Sequence, residues 1–321
     1  LLPQKISRVI VTGLGMSAHR DSLPVIRMQA DVQNQGYAAG LAACMAGECG
    51  GDFEAIDLRR LQKQLIAVGA LPEAVLEWQD SFPLPLEKIR EAADRQTLFA
   101  AAILLAHPEV SIPLLKERLQ TGTPEQVEMA ALLLGLMGEP AAAPTLVQLI
   151  AGREWDQGWN FRGMGQFGMS NSRLDALIMA LGRTRSKLGT EVLVQKANAL
   201  GEDAMFSHCR ALSLAAGAIG DPALAPALKR LLCLPGVNGH AIKTVAHGVK
   251  TANDDPVETE SRNRALREIY LAKGLYLCGD CDGLGRAILE EYRHDLRGVF
   301  ARHAAAVLAA PDLEVLRSES I

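Results

Sequence analysis

Ala130-Ala131-Leu132-Leu133-Leu134-Gly135-Leu136-Met137-Gly138, followed by Glu139-Pro140 and by Pro144-Thr145-Leu146-Val147-Gln148-Leu149-Ile150, decides the fold class. An apolar, Ala- and Leu-rich run ends at a glycine, an acidic residue and a proline make the turn, and a second apolar run begins with proline. That reads as helix, tight turn, helix, because proline is tolerated in the first turn of a helix and glycine just past the end of one. The unit recurs. Ala211 to Gly220 is followed by Asp221-Pro222 and then by Pro226 to Leu232. Ala176 to Gly182, running on to Leu193, is a looser copy, and Ala265 through Gly279 to Leu289 is a fourth. The turn glycines Gly138, Gly182, Gly220 and Gly279 lie 44, 38 and 59 residues apart. The first two intervals suit helical repeats of about 40 to 47 residues, and the third calls for an insertion in the polar stretch Val249 to Ser261. A single pair cannot cover its own apolar stripes, so stacking of neighbours supplies the core.

Composition agrees. Hydrophobic residues are 49% of the 321 residues but aromatics only 4%, which suits close-packed helices of small residues better than a β-sandwich. The net charge of −4 offers no basic stripe for a phosphate backbone, so nucleic acid is not an expected partner. No apolar run reaches the ~18 to 20 residues a membrane span needs, and the chain reads as soluble. Six cysteines in a chain of this length do not make a disulfide scaffold. Cys209 and Cys233, in apolar helical runs, are expected to be buried thiols. Residue 1 is Leu with no signal segment before it, so localisation cannot be read.

Upstream of about residue 86 the pattern differs. Ser7-Arg8-Val9-Ile10-Val11-Thr12 has the composition of a strand and is closed by Gly13. A helix is expected from about Gln29 to Ala46. Its Gly36 and Gly40 share one face, which permits either tight helix packing or close approach of a flat ligand. Asp57 is the expected cap of a short helix with Leu58, Leu61 and Leu65 on one stripe, and Pro72, Pro83 and Pro85 mark a linker.

Leu1-Leu2-Pro3, the strand ending at Gly13, Met16-Ser17-Ala18, Leu23 to Arg27 and Gly36-Tyr37-Ala38-Ala39-Gly40 follow one another in a fixed order. This series resembles the C-terminal end of the FAD-binding domain in a family of FAD-dependent oxidoreductases. That family's pattern has L-x-P, a strand into A-G-R, I-S-A, a loop ending I-R-V-M, and a helix with G-Q-A-A-G. Leu14 departs from the usual Arg, and Pro24 stands where Gly is common. The resemblance implies that Gly13, Leu14, Ile26, Arg27 and Met28 border an FAD cofactor. It further implies that the missing N-terminal FAD-binding half is a partner, and that the complete protein oxidises a small-molecule substrate of unknown identity. No G-x-G-x-x-G here follows a strand and opens a helix, so this chain alone is not expected to hold FAD. The alternative is a repeat scaffold that binds another protein and has no catalytic activity of its own.

Three further features weigh on function. Gly152 to Asn171 interrupts the repeats with Trp155, Trp159, Phe161 and Phe167, and reads either as a docking loop or as a loop packed on its own side chains. Cys278-Gly279-Asp280-Cys281 spells C-x-x-C but lacks a second pair, so it reads as a repeat turn and no metal ligands are assigned. Of the histidines, His19 alone lies in the loop that would border a flavin. His208, His240, His247, His294 and His303 read as surface or turn residues, and no catalytic residue is assigned. The whole predicts a mainly α protein: a HEAT/armadillo-like α-α superhelix preceded by a short strand-helix remnant of an FAD-binding α/β domain. The expected divisions are 1–50 for that remnant, 51–84 for a connecting helix and linker, and 85–321 for the repeats.

Overall fold

A computed structural model of the chain describes residues 1–3, 5–16, 26–78, 84–95, 97–160, 171–252, 259–310 and 313–314. Among them are fifteen α-helices and no strand, so the protein is mainly α. The chain divides into two compact units, Leu1–Pro83 and Leu84–Ile321.

In the first unit the run expected as a strand begins in a turn at Ser7 and Arg8, is extended at Thr12, and pairs with no other strand among the described residues. A strand persists by sharing a ladder. Among the described residues the run has one backbone bond back to the chain start, from the Val11 amide to the Leu1 carbonyl at 2.9 Å. A short 3-10 turn, Gly13–Gly15, leads toward α1, Gln29–Glu48. Cys49, Gly50 and Gly51 break that helix, with Gly50 at φ +67° and Gly51 at φ +87°, and α2 spans Leu58–Ala67. Asp57 caps α2 by accepting from the Arg60 amide at 3.0 Å. Ala42 and Met45 of α1 pack on Leu61 and Leu65 of α2. Leu58, expected on the same stripe, is 59% exposed, and the stripe enters the core at Leu61.

The second unit opens with α3 (Leu86–Ala93), α4 (Leu98–Ala106) and α5 (Pro108–Thr121). Four helix-turn-helix units follow: α6 (Pro124–Leu136) with α7 (Ala143–Ala151), and α8 (Arg173–Arg183) with α9 (Thr190–Asn198). Then come α10 (Phe206–Ile219) with α11 (Ala225–Leu232), the short α12 (Val245–Thr251), α13 (Glu260–Leu277) with α14 (Leu284–Tyr292), and α15 (Gly298–Ala309). In each of the four, a 3-10 turn joins the two helices. The first helices pack on one another in sequence, α6 on α8, α8 on α10 and α10 on α13. Small residues make that approach possible. A Cβ on Gly135 would lie 2.9 Å from Cβ of Ala180, and one on Gly274 would lie 3.0 Å from Cα of Ser213.

Gly138, Gly220 and Gly279 each take positive φ at the turn, where a Cβ would be strained. Gly182 does not. It lies buried inside α8, and Arg185 takes the left-handed conformation at φ 53° instead. Hydroxyls replace the glycine there: Thr184 Oγ1 donates to the Leu181 carbonyl at 2.7 Å and accepts from the Ser186 amide at 3.3 Å. In the fourth unit Asp280 does the capping, accepting from the amides of Gly285 at 2.6 Å and Arg286 at 3.0 Å.

Candidate functional site

The residues implicated by the flavoprotein resemblance fall in the first unit. Gly13 sits at φ +68°, and a Cβ there would meet Cγ1 of Val32 at 3.6 Å, so the turn rests on α1. Leu14 is 76% exposed. Ile26 is half-buried, and its carbonyl accepts from the Gln35 side chain at 2.8 Å. Arg27 and Met28 are exposed, and Met28 leads into α1 with no side chain capping the first amides. Gly36 and Gly40 have nothing within 4 Å of where a Cβ would stand among the described residues, so the surface of α1 is open at these two positions. Ser17, Ala18, His19, Leu23 and Pro24 lie outside the described residues. The structure thus joins Gly13 to α1 and leaves Leu14, Arg27 and Met28 facing outward.

A second constellation, in the other unit, was not anticipated. Residues 153–160 leave α7 as an irregular strap that is bonded to three helices in turn. Trp155 Nε1 donates to the Lys196 carbonyl of α9 at 3.2 Å, and the Lys196 ammonium donates to the Arg153 carbonyl. Asp156 Oδ2 accepts from the Leu174 amide at 3.1 Å and Asn160 Oδ1 from the Phe206 amide at 2.8 Å, so strap side chains satisfy orphan amides opening α8 and α10. The Trp159 amide donates to Ser207 Oγ, and the Ser207 amide donates back to the Trp159 carbonyl, both at 2.9 Å. The aromatic segment is therefore bound down through main-chain and side-chain groups as far as residue 160. Phe161 and Phe167 lie outside the described residues.

Beneath the strap is a buried histidine–carboxylate pair. His208 is 4% exposed and Asp175 0%. His208 Nδ1 lies 2.7 Å from Asp175 Oδ1, and Nε2 lies 3.1 Å from the Asp156 carbonyl oxygen. The Trp155 ring sits 4.4 Å away, centroid to centroid. Burial drives the Asp175 carboxyl toward neutrality. Hydrogen bonds from His208, Ser207 and Ser172 more than offset that and hold it below the usual carboxylate range. His208 is thus no surface residue. Ser172 and Asp175 form a reciprocal capping box at the start of α8, a pattern visible in the sequence as Ser-x-x-Asp, but the histidine's partner is 33 positions away and leaves no local trace.

Asn160 also edges an open polar pocket of about 600 Å³, which Glu202, Asp203, Asn263, Arg264 and Arg267 help to line. Arg267 is oriented there by donating to the carbonyls of Glu202 and Ala204, both at 2.9 Å. Glu202, Asp203 and Glu260 together with Arg264 and Arg267 make it a mixed-charge cleft.

The cysteines divide by burial. Cys209 is buried, and burial pushes its thiol up to about 12. Cys233 is exposed at the end of α11, against expectation, because the apolar stripe of that helix ends at Leu232. Within the C-x-x-C sequence, Cys278 is buried with its thiol 3.2 Å from the Ala216 carbonyl oxygen, while Cys281 opens the next turn. Among the described residues no cluster of three or more His, Cys, Asp and Glu could hold a metal, and no helix is long and apolar enough to cross a membrane.

No protein-family model matches the chain, and no curated protein matches it either.

Proposed function

We propose that this chain is the C-terminal portion of an FAD-dependent oxidoreductase, its helix pairs forming a HEAT-like stack that supports the flavin domain. The observation that carries the reading is Gly13. The motif series from Leu1 to Gly40 calls for a glycine that brings the backbone close to the cofactor. Gly13 supports this by taking a left-handed φ of +68° against α1. Three neighbours support it too. The first amides of α1 have no side-chain cap, Arg27 adds positive charge at the entry to that helix, and Gly36 and Gly40 leave a face open to a flat ring. Gly13, Leu14, Ile26, Arg27 and Met28 would hold the flavin's near side, and the nucleotide-binding half would hold the pyrophosphate. FAD bound there would accept a hydride or electrons from an organic substrate.

The test joins this chain to that half and follows flavin absorbance. Stoichiometric FAD that is lost on Gly13→Val supports the reading, because a β-branched residue at positive φ both strains the turn and fills the approach. Stoichiometric FAD retained by Gly13→Val sinks it. A second reading, a protein-binding scaffold without catalysis of its own, draws on Val245, Val249, Leu296 and Val299, each more than half exposed.

A further inference from the structure

Both ring nitrogens of His208 face hydrogen-bond acceptors. A neutral imidazole has one N–H and can satisfy only one of them. Asp175 already accepts from the Ser172 amide at 2.9 Å and from the Ser207 hydroxyl, which suits an ionised carboxylate, so Nδ1 carries a proton. Nε2 then either donates a second proton to the Asp156 carbonyl or sets its lone pair against that oxygen at 3.1 Å. The imidazolium removes the conflict, and the Trp155 ring 4.4 Å away offers it an aromatic neighbour.

The ring cannot turn away from the strap. A Cβ on Gly158 would stand 2.6 Å from His208 Nε2, so the strap backbone lies directly against the imidazole, and Asp175 fixes its other edge. The remaining charges nearby are already engaged. Asp156 caps the Leu174 amide, and Lys196 of α9 binds the Arg153 carbonyl. Arg210 of α10 lies 5.4 Å over the Phe206 ring and bonds Asn171, and Arg267 of α13 binds the Glu202 and Ala204 carbonyls. Among the described residues Asp175 is the one carboxylate bonded to the ring.

We propose that residues 153–160 form a protonation-gated strap: His208 clasps it as an imidazolium through the Asp156 carbonyl, and loss of the Nε2 proton releases it. The direction follows from the chemistry. The clasp exists while the imidazolium exists, so it is complete on the acid side and is lost as pH rises. Deprotonation exchanges a charge-assisted bond for a repulsion between two lone pairs, and the strap must shift because the ring cannot. The strap carries Asn160, so its release moves one edge of the polar pocket formed with Asn263 and Arg267. The helices keep their own bonds, and the effect is local.

The test uses the intact chain with nitrogen-15-labelled histidine. At the acid end of the folded range both His208 ring nitrogens should resonate as protonated, and Nε2 should lose its proton as pH rises. Amide exchange at Leu174, Phe206 and Ser207, corrected for the intrinsic rate, should quicken at least about tenfold as the Nε2 proton is lost, the scale of one lost hydrogen bond to a charged group. Amides of Leu271 to Leu275 in α13 should not respond. His208→Gln, which retains one donor, should abolish the pH response. A ring that is singly protonated throughout the folded range while the strap amides stay protected overturns the proposal, and this measurement needs no variant. The same pH response in His208→Gln, or one shared equally by α13, also overturns it.

Discussion

Arg153 and Arg173, at the two ends of the aromatic segment, bind the same carboxylate. Glu128 of α6 accepts from Arg153 Nη2 at 2.6 Å through one oxygen and from Arg173 Nε at 2.7 Å through the other. The excursion between the second and third helices of the repeats is thereby closed at its neck. Burial raises the Glu128 carboxyl, and hydrogen bonds from Arg173 and then Arg153 outweigh it, leaving the group below its ordinary range. Glu128→Gln should cost about 1 to 2 kcal/mol in chemical denaturation, since it weakens two charge-assisted bonds that solvent partly screens. A variant as stable as the parent would show that the neck is held by packing alone.

Asp175 should dominate the acid limb of stability. Its carboxyl is depressed in the folded protein, so its contribution is present above the unfolded value of about 4 and is lost as pH falls through the folded one. Asp175→Asn leaves His208 buried beside a neutral amide and removes an acceptor from the Ser172 amide or the Ser207 hydroxyl, and should cost about 1 to 3 kcal/mol. Urea midpoints measured from about pH 6 down to pH 3 should fall for the parent and flatten for the variant. Parallel curves would remove Asp175 from the explanation.

Glycines in the two units should respond with opposite sign. Gly135→Ala places a Cβ 2.8 Å from Leu146 and 2.9 Å from Ala180, so it should lower stability by about 1 to 3 kcal/mol through overpacking. Gly40→Ala meets nothing within 4 Å and should stabilise α1 by up to about 1 kcal/mol, the helix-propensity difference. If the α1 face receives a flavin, the same Gly40→Ala should weaken FAD retention in the joined protein while leaving the isolated chain more stable. Thermal unfolding and flavin absorbance, measured on the same variants, separate the two effects.

Thiol reactivity should follow burial and not sequence spacing. Cys44, Cys49 and Cys233 are exposed and should react quickly with an aromatic disulfide reagent, whereas Cys209 and Cys278 should react only on unfolding. Cys281, half-buried in its turn, should be intermediate. Rapid reaction of Cys278 together with Cys281 would mean that the C-x-x-C turn opens as a redox pair.

Arg27→Ala, in the joined protein, should weaken FAD binding or slow turnover by about 1 to 3 kcal/mol, the scale of a lost charged hydrogen bond. Cys281→Ser in the other unit is the matched control and should leave flavin affinity unchanged. Equal effects of the two substitutions would separate Arg27 from the cofactor.

Local order in the chain was sufficient for the helix pairs. Apolar residues three and four apart, a turn glycine and a following proline are neighbours in the chain, and their conformational preferences act before any tertiary contact forms. That is why the turns at Gly138 and Gly220 could be read directly, together with the Asp57 cap of α2. The reading failed where two local solutions compete. Gly182 has the composition of a turn, yet the Thr184 and Ser186 hydroxyls made the turn further on. The run from Ser7 to Thr12 has β-branched side chains, but a strand also needs a partner, which no local preference supplies. The burial of His208 depends on bonds to Asp175, 33 residues away, and to Asp156, 52 away, and the clasp of Arg153 and Arg173 depends on Glu128 in an earlier helix. The sequence by itself determined a helical chain of repeated pairs, because short-range periodicity selects the helix. Only the tertiary structure decided which polar groups meet beneath the strap, because a buried hydrogen bond is directional and is specified by the packing of whole helices.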